Sequence, residues 1–362
     1  MLKEYNSQSK KQFQIMDNEG VVKLSKHMPV ISDNELVKAY EEMLFARTVD
    51  TMIVSYQRQG RIFTYPPNNG QEAISGALGT IIEEKDWLVP AFRELGAWLA
   101  KGAHLKEIFL YFMGYEIGTS FKDAKNFMPI AVPIASQLQH AVGIAYAQMY
   151  QEKDGLVYAI VGDGGTSQGD FHEALNFAGV WKAPVVFIVQ NNQFAISVPF
   201  KTQTASDGIA IKAEAYGMPG IQVDGNDYFA MLKTLQEAEK YVSSGKGPIL
   251  IEAVTYRRGA HTTSDDPSKY RSQEEEDSWA EKDPLKRLKA HLISKGLFDE
   301  KKEEKLIKQY KQEIDRIFIE AENQEPYKLE DVFKYQYAEM PDDLKDQMAR
   351  HEKFLNWKGG QK

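Results

Sequence analysis

Oxygen-bearing side chains and glycines at two points of one central stretch carry the first chemical signal in the sequence. Asp163 stands in the segment GDGG, and Asn191 and Asn192 follow Gly164 after 26 intervening residues. Mg²⁺ takes a few carboxylate and amide oxygens of this kind, together with phosphates and water. Gly164 and Gly165 lack a β-carbon, so their backbone N–H groups can approach an anion closely. These residue types therefore indicate a magnesium site beside a phosphate group.

The elements that must position these residues are two short apolar runs, 156–161 and 184–189. Both runs are typical of buried strands in a parallel sheet. Between them, apolar residues recur at helical spacing, so the stretch predicts a strand–helix–strand unit with a right-handed crossover. Polar residues that follow the two strands would meet at the carboxyl edge of the sheet, where ligands bind. GDG alone also fits an ordinary turn before a helix, but the paired asparagines at the next strand end favour a binding site.

The rest of the chain predicts an α/β fold with a doubly wound, mainly parallel sheet and helices on both faces. A polar arm, 1–32, is expected to lie on a neighbouring subunit or to be partly disordered. An α/β domain is predicted over 33–280, and a highly charged helical extension over 281–362. Within the domain, residues 255–275 are polar and nearly without apolar anchors, which indicates a mobile loop. Helices are predicted over about 36–59 and 228–242, strands over 87–89 and 248–254, and a short strand with a turn over 220–227.

Composition excludes several classes of protein. Hydrophobic residues make up 43% and charged residues 27% of the 362 residues, as in ordinary globular proteins. The net charge of −8 argues against a nucleic-acid partner. Cysteine is absent, which excludes disulfides and thiolate metal sites. The start lacks the apolar core of a signal peptide, and no stretch approaches the ~18 apolar residues of a membrane helix. We therefore expect no membrane association and a cytoplasmic location.

GDG followed by 26 residues and NN resembles the thiamine diphosphate motif. With TSQGDFHEALNFAG and NNQFAIS around it, the chain resembles the alpha subunit of the decarboxylating component of 2-oxo acid dehydrogenase complexes, over about residues 35–340. The resemblance implies the thiamine diphosphate-binding fold, with thiamine diphosphate and Mg²⁺ as cofactors. It implies that Asp163, the Asn192 side chain and the Phe194 carbonyl hold Mg²⁺ on the diphosphate, beside Gly164 and Gly165.

The same resemblance assigns further residues to the cofactor. Phe92 and Arg93 would lie beside it, with Arg93 donating to a diphosphate oxygen. Val132 and Ile134 would lie against the aminopyrimidine end. The loop after the last strand would order when the cofactor binds, and its basic residues would be Arg257 and the catalytic residue His261, which would carry protons or bind phosphate. Phe92 replaces a tyrosine of close relatives, so a hydroxyl contact is lost there.

The resemblance implies an enzyme subunit that works within an α₂β₂ heterotetramer. Only one α/β unit is present before residue 280, so a beta subunit would supply the second half of the site. The acyl group from a 2-oxo acid would pass to the lipoyl arm of an acyltransferase core. Pyruvate is favoured as substrate, although VPIASQ and TTSDDPSKYR also resemble branched-chain enzymes. A transketolase-like chain would be much longer, and a non-catalytic nucleotide-binding module would bind ATP rather than thiamine diphosphate.

Overall fold

A five-stranded, fully parallel sheet forms the centre of the computed structural model, which describes residues 2–9 and 11–359. The strands of the chain are β1 (Trp87–Val89), β2 (Val157–Gly162), β3 (Val185–Asn191), β4 (Phe194–Ala195), β5 (Val198–Pro199), β6 (Gly220–Asp224) and β7 (Ile249–Val254). Their order in the five-stranded sheet is β1-β2-β3-β7-β6. A two-stranded antiparallel hairpin, β4 and β5, follows β3.

Thirteen α-helices are assigned within the described residues, and the first illustrates how local sequence sets their ends. Ser32 Oγ accepts from Glu35 N at 3.3 Å and Glu35 Oε2 accepts from Ser32 N at 2.8 Å, a capping box that starts α1. The helices are α1 (Asp33–Arg58), α2 (Glu72–Ile81), α3 (Leu95–Ala100), α4 (Leu105–Phe112), α5 (Ser136–Tyr150), α6 (Gly169–Trp181), α7 (Phe200–Gln203), α8 (Tyr228–Tyr241), α9 (Gln273–Ala280), α10 (Pro284–Ser294), α11 (Glu300–Glu322), α12 (Leu329–Phe333) and α13 (Asp342–Gly359).

The two faces of the sheet are covered by different helices. Alternate residues of β2 and β3, such as Val161 and Phe187, pack in one buried cluster with α5 and α6. The chain reaches edge strand β6 before it returns to β7, so the direction of winding reverses. A right-handed crossover then places α8, which packs with α2, on the opposite face. The predicted doubly wound α/β fold is confirmed, and the strands predicted around the GDG segment begin and end within two residues of their positions.

The N-terminal arm lies on the chain's own sheet. Phe13 N donates to Gln222 O at 2.8 Å, and Asp224 N donates to Phe13 O at 2.9 Å, so Phe13 extends the free edge of β6. Asp227 Oδ2 accepts from the N–H groups of Ile15 and Met16, both at 2.7 Å. Residues 13–16 of the arm are therefore ordered on the chain's own sheet, while contact of the arm with a neighbouring subunit stays a prediction. Unpaired groups of an edge strand readily bind such a segment.

The chain divides into two compact units, one up to Phe318 and one from Ile319 onward. The second unit contains α12 and α13, and α13 buries no side chain within its described residues. The predicted helical C-terminal extension is therefore confirmed, whereas the domain boundary near residue 280 stays a prediction. Every helix in the described part of the chain is too short or too polar to span a membrane.

Candidate active site

A cleft opens where the carboxyl ends of β1, β2, β3 and β7 meet. Its empty volume is about 930 Å³, including the part open to solvent. Arg93 follows β1, Asp163 follows β2, Asn192 follows β3 and Arg257 follows β7, and all four line the cleft. This is the convergence that parallel strand ends predict. The cleft also contains the predicted residues Phe92, Ile134, Gly164, Gly165, Phe194 and His261.

Val132 is the predicted site residue that the structure does not bring to the wall of the cleft. Its side chain is 60% exposed, and that of its neighbour Ile134, which does line the cleft, is 47% exposed. Both side chains are apolar and open to solvent near the mouth. Their predicted contact with the aminopyrimidine end of a cofactor remains a prediction.

Asp163 Oδ1, the Phe194 carbonyl oxygen and one end of the Asn192 side-chain amide face one another in the cleft. That end of the amide lies 3.2 Å from the Phe194 carbonyl oxygen and 3.3 Å from Asp163 Oδ1. When it is the oxygen, Oδ1, it also accepts from Phe194 N at 3.4 Å. Adjacent ligands of an octahedral Mg²⁺, with bonds of 2.0–2.1 Å, are about 3.0 Å apart. Asp163 Oδ2 is buried and has no hydrogen-bond partner. The three predicted metal ligands thus fit a cation, while reversal of the Asn192 amide would instead let Nδ2 donate to both oxygens.

The pKa of Asp163 is consistent with a cation bound at these three ligands. Burial raises the pKa of Asp163 to about 6, although the Asn192 backbone N–H and Arg257 act to lower it. A cation beside the carboxylate would favour its ionised form. No group of three or more His, Asp or Glu residues within the described chain could hold a metal. A metal here would depend on one carboxylate, an amide, a carbonyl and ligand oxygens, the mixed set typical of Mg²⁺ with phosphates.

The glycine segment leaves no room for side chains. A β-carbon at Gly164 would lie 2.8 Å from the Ala195 Cβ, and one at Gly165 would lie 2.4 Å from Val161 Cγ2. Gln203 Nε2 donates to the Asp163 carbonyl at 2.7 Å and holds the segment from outside. Helix α6 begins just after it, with the positive end of its dipole toward this edge. The close packing explains why these positions require glycine.

Two buried arginines have no carboxylate ion-pair partner in the described chain. Arg93 is 5% exposed and donates to the carbonyl oxygens of Pro67, at 2.7 Å, and His261. Arg257 is 1% exposed and donates to Phe194 O at 3.2 Å, Ile196 O at 2.6 Å and Tyr270 Oη at 2.9 Å. Burial lowers the pKa of Arg93 to about 9, and Arg257 adds to this effect. Two such guanidinium groups facing one cleft suit an anionic ligand.

His261 lies between the two arginines. Its Nδ1 atom is 3.0 Å from Arg93 Nη2 and 3.4 Å from Arg257 Nη1. Burial, Arg93 and Arg257 lower the pKa of His261 to about 4, so its imidazole is neutral at neutral pH. The histidine is at the predicted place. Its surroundings, however, favour a hydrogen-bonding base over a cation that binds phosphate.

The loop that contains His261 is anchored by residues that sequence reasoning missed. Arg271 donates to the carbonyl oxygens of Arg257 at 2.5 Å and Arg258 at 2.9 Å. Tyr270 Oη donates to Asp265 Oδ2 at 2.5 Å. The sequence offered a signal for this anchoring, because the aromatic Tyr270 and the arginine Arg271 stand together near the end of the polar segment 255–275. Mobility of this loop without cofactor stays a prediction.

Buried polar residues beside the predicted site were also missed. Gln71, Glu94 and Gln190 are each at most 2% exposed and line the cleft. Gln190 Nε2 donates to Glu94 Oε1 at 2.8 Å, and burial raises the pKa of Glu94 to about 8. Gln71 Oε1 accepts from Asn192 Nδ2 at 3.3 Å. Glu94 directly follows Arg93 and Gln190 directly precedes Asn191, and these positions were the signal available in the sequence.

Comparisons with known proteins agree with this geometry. A family model described as "Dehydrogenase E1 component" matches residues 40–330. The pyruvate dehydrogenase E1 component subunit alpha of Acholeplasma laidlawii is 42% identical over 341 residues, which cover 94% of this chain and 99% of that protein. The subunits of the same name from Mycoplasma genitalium and Staphylococcus aureus are 36% and 39% identical, over 95% and 92% of this chain and 96% and 90% of their own lengths. The predicted resemblance is confirmed, and the chain belongs to the dehydrogenase E1 component family.

Proposed function

We propose that this chain is the alpha subunit of a cytoplasmic pyruvate dehydrogenase. It would act with thiamine diphosphate and Mg²⁺ to decarboxylate pyruvate and pass the acetyl group to the lipoyl group of an acyltransferase core. Family membership implies thiamine diphosphate. The observation that carries the proposal is the convergence of the Asp163 carboxylate, the Asn192 side-chain amide and the Phe194 carbonyl beside two buried arginines that have no ion-pair partner in the described part of the chain.

The residues of the cleft divide into those for the metal and those for the anion. Asp163, the Asn192 side chain and the Phe194 carbonyl would hold Mg²⁺, and Arg93 and Arg257 would bind diphosphate oxygens together with the backbone of Gly164 and Gly165. When bound, thiamine diphosphate supplies the electron sink that decarboxylation needs. Phe92, Val132 and Ile134 would contact its apolar parts.

The protein's own part in the reaction is positioning and proton control. Because His261 Nδ1 accepts from the arginines, its proton resides on Nε2, which is then free to donate toward an acyl acceptor. The anchored loop that contains His261 would keep water out of the cleft. We propose that His261 assists acyl transfer to the lipoyl group and is less important for decarboxylation.

Pyruvate is the proposed substrate because the relatives reported above are named pyruvate dehydrogenases. The branched-chain alternative has no support from these relatives. The decisive measurement is steady-state decarboxylation of pyruvate and of 2-oxoisovalerate by the assembled enzyme. A higher kcat/KM for 2-oxoisovalerate would contradict the proposed substrate.

The cofactor site can be tested by titration calorimetry with thiamine diphosphate, with and without Mg²⁺. Asp163→Ala and Asn192→Ala each remove one hard oxygen from a metal that demands near-octahedral geometry. We expect both variants to lose Mg²⁺-dependent binding while the thermal unfolding midpoint changes little. ATP serves as the comparison ligand, because a nucleotide-binding module would bind ATP rather than thiamine diphosphate.

An exposed apolar surface suits the beta subunit of the proposed α₂β₂ heterotetramer. On α5 and α6, Tyr146 and Trp181 have ring centroids 4.8 Å apart, as do Phe177 and Trp181. Val180 is 70% exposed, and these four residues define the α5–α6 surface. Interface cores favour such aromatic residues. Phe109 and Phe112, in the aromatic-rich segment 103–121, are buried inside the chain and do not add to this surface.

A further inference from the structure

The orientation of the Asn192 amide decides whether three oxygens or two oxygens and an NH₂ group face one another in the cleft. Asn192 Nδ2 donates to Gln71 Oε1 at 3.3 Å, and this orientation turns Oδ1 toward Asp163 and Phe194. We propose that Gln71 is a positioning residue that holds the Asn192 amide with its oxygen toward the metal. The inference rests on the proposed magnesium site and adds to it a residue outside the ligand set.

The two amides are coupled, because a reversal of one requires a reversal of the other. If Asn192 turned over, its Nδ2 would donate to Asp163 Oδ1 and Phe194 O, at 3.3 and 3.2 Å. Its Oδ1 would then face the oxygen of Gln71, and two acceptors repel unless Gln71 also turns over. The pair thus has two self-consistent arrangements, one that suits a bound cation and one that suits its absence. Outer residues of this kind orient metal ligands in many sites.

Gln71 is well placed for this role. Its side chain is 1% exposed, and its Nε2 is buried without a hydrogen-bond partner. An unpartnered buried donor at the edge of a cleft is unfavourable unless a ligand supplies an acceptor. The backbone around it is fixed, since Thr255 Oγ1 donates to Gly70 O at 2.9 Å and Gly70 N donates to Glu72 Oε2 at 3.0 Å. The free donor thus favours this arrangement when a bound ligand supplies an acceptor.

Two substitutions separate positioning from packing. Methionine in Gln71→Met has similar length but a poor acceptor, so it releases the Asn192 amide. In Gln71→Glu both carboxylate oxygens accept hydrogen bonds, so Asn192 must keep its Nδ2 toward residue 71 and its Oδ1 toward the metal. The measurement is the Mg²⁺ concentration that gives half-maximal thiamine diphosphate binding by calorimetry on the assembled enzyme. We expect it to rise about 10–100-fold in Gln71→Met and to stay at or below the wild-type value in Gln71→Glu.

Gln148→Met is the matched control, because Gln148 is a 6% exposed glutamine in α5 that does not line the cleft. It should leave the Mg²⁺ requirement unchanged. A half-maximal Mg²⁺ concentration for Gln71→Met within about twofold of the wild-type value would overturn the proposal. An equal increase in Gln71→Met and Gln71→Glu would also overturn it, because lost packing alone would explain that result. If Gln71→Met does not fold, a half-maximal Mg²⁺ concentration for Gln71→Glu well above the wild-type value is sufficient to overturn the proposal. Asp163→Ala is measured in parallel: if it binds normally, the metal site is misplaced and the inference fails with it.

Discussion

His261 Nδ1 lies 3.0 Å from Arg93 Nη2, so a neutral imidazole accepts a hydrogen bond from a buried guanidinium group. Burial is the main cause of the low pKa of His261, and Arg93 is the next. Arg93→Met removes that positive charge, and we therefore expect the pKa of His261 to rise from about 4 toward its usual range. Histidine NMR titration measures the change directly. Arg58→Met, at the end of α1, is the control and should leave the titration unchanged. An unaltered His261 pKa in Arg93→Met would show that burial and Arg257 set it without Arg93.

A second prediction concerns the loop over 257–275. Arg271 ties it to the carbonyl oxygens of Arg257 and Arg258. Hydrogen bonds from charged donors contribute about 1.5 kcal/mol or more, so their loss in Arg271→Met should speed amide hydrogen exchange in the loop at least tenfold. Thiamine diphosphate with Mg²⁺ should slow exchange there in the wild type. Lys269→Met, whose side chain is 78% exposed, is the control. Equal exchange with and without cofactor would contradict an ordering role for the loop.

A third prediction separates the two half-reactions. His261→Ala should reduce transfer to a lipoyl acceptor by roughly 10²-fold or more, the usual effect of losing an acid or base. Decarboxylation, followed with an artificial electron acceptor, should be reduced much less. The two assays use the same assembled enzyme, so the ratio of the losses is informative even if the amount of folded protein differs. Equal losses would indicate that His261 only helps to bind the cofactor.

Local pattern was sufficient to predict some of this structure and not the rest. The strands around GDG and the start of α1 follow from apolar runs and from Ser32 with Glu35, because each signal is contiguous in the chain. The contact between Gln71 and Asn192 joins residues 121 positions apart, and no spacing rule connects them. Phe13 could not be placed on β6 without knowing that β6 is an edge strand. The site residues that follow the strand ends were predictable from the sequence. The residues that support them could not be predicted, because tertiary packing brings them to the site.

A fourth prediction is a pH dependence of stability that originates at Asp50. Burial raises the pKa of Asp50 to about 6, although its Oδ1 accepts from Tyr65 Oη at 2.7 Å and Asn68 N at 2.6 Å. Between pH 3.8 and about 6 the unfolded chain loses this proton while the folded chain keeps it, so the free energy of unfolding falls as the pH rises. The change is at most about 3 kcal/mol.

Asp50→Asn keeps the accepting oxygen and cannot ionise, so it should remove this contribution. Urea unfolding at pH 4, 5 and 6 is the measurement, and the variant should show a smaller decrease in the free energy of unfolding than the wild type. Exposed carboxylates titrate alike in the wild type and in Asp50→Asn. Their contributions therefore cancel in the difference between the two free energies of unfolding. Parallel pH profiles would show that the pKa of Asp50 is the same in the folded and the unfolded protein.

The last prediction concerns the α5–α6 surface. If the beta subunit covers it, Val180→Glu places an unpaired charge in the interface while leaving the isolated chain folded, because Val180 is 70% exposed. An uncompensated buried charge costs about 3 kcal/mol or more, so association should weaken roughly 100-fold. Val30→Glu, at a position 91% exposed and outside this surface, is the matched control. Sedimentation of the co-expressed subunits should show dissociation for Val180→Glu alone. Decarboxylation should fall with the fraction assembled, because the proposed heterotetramer would complete the site with a second α/β unit from the beta subunit. Full activity of the isolated wild-type chain would contradict the shared site, and intact assembly of Val180→Glu would place the interface elsewhere.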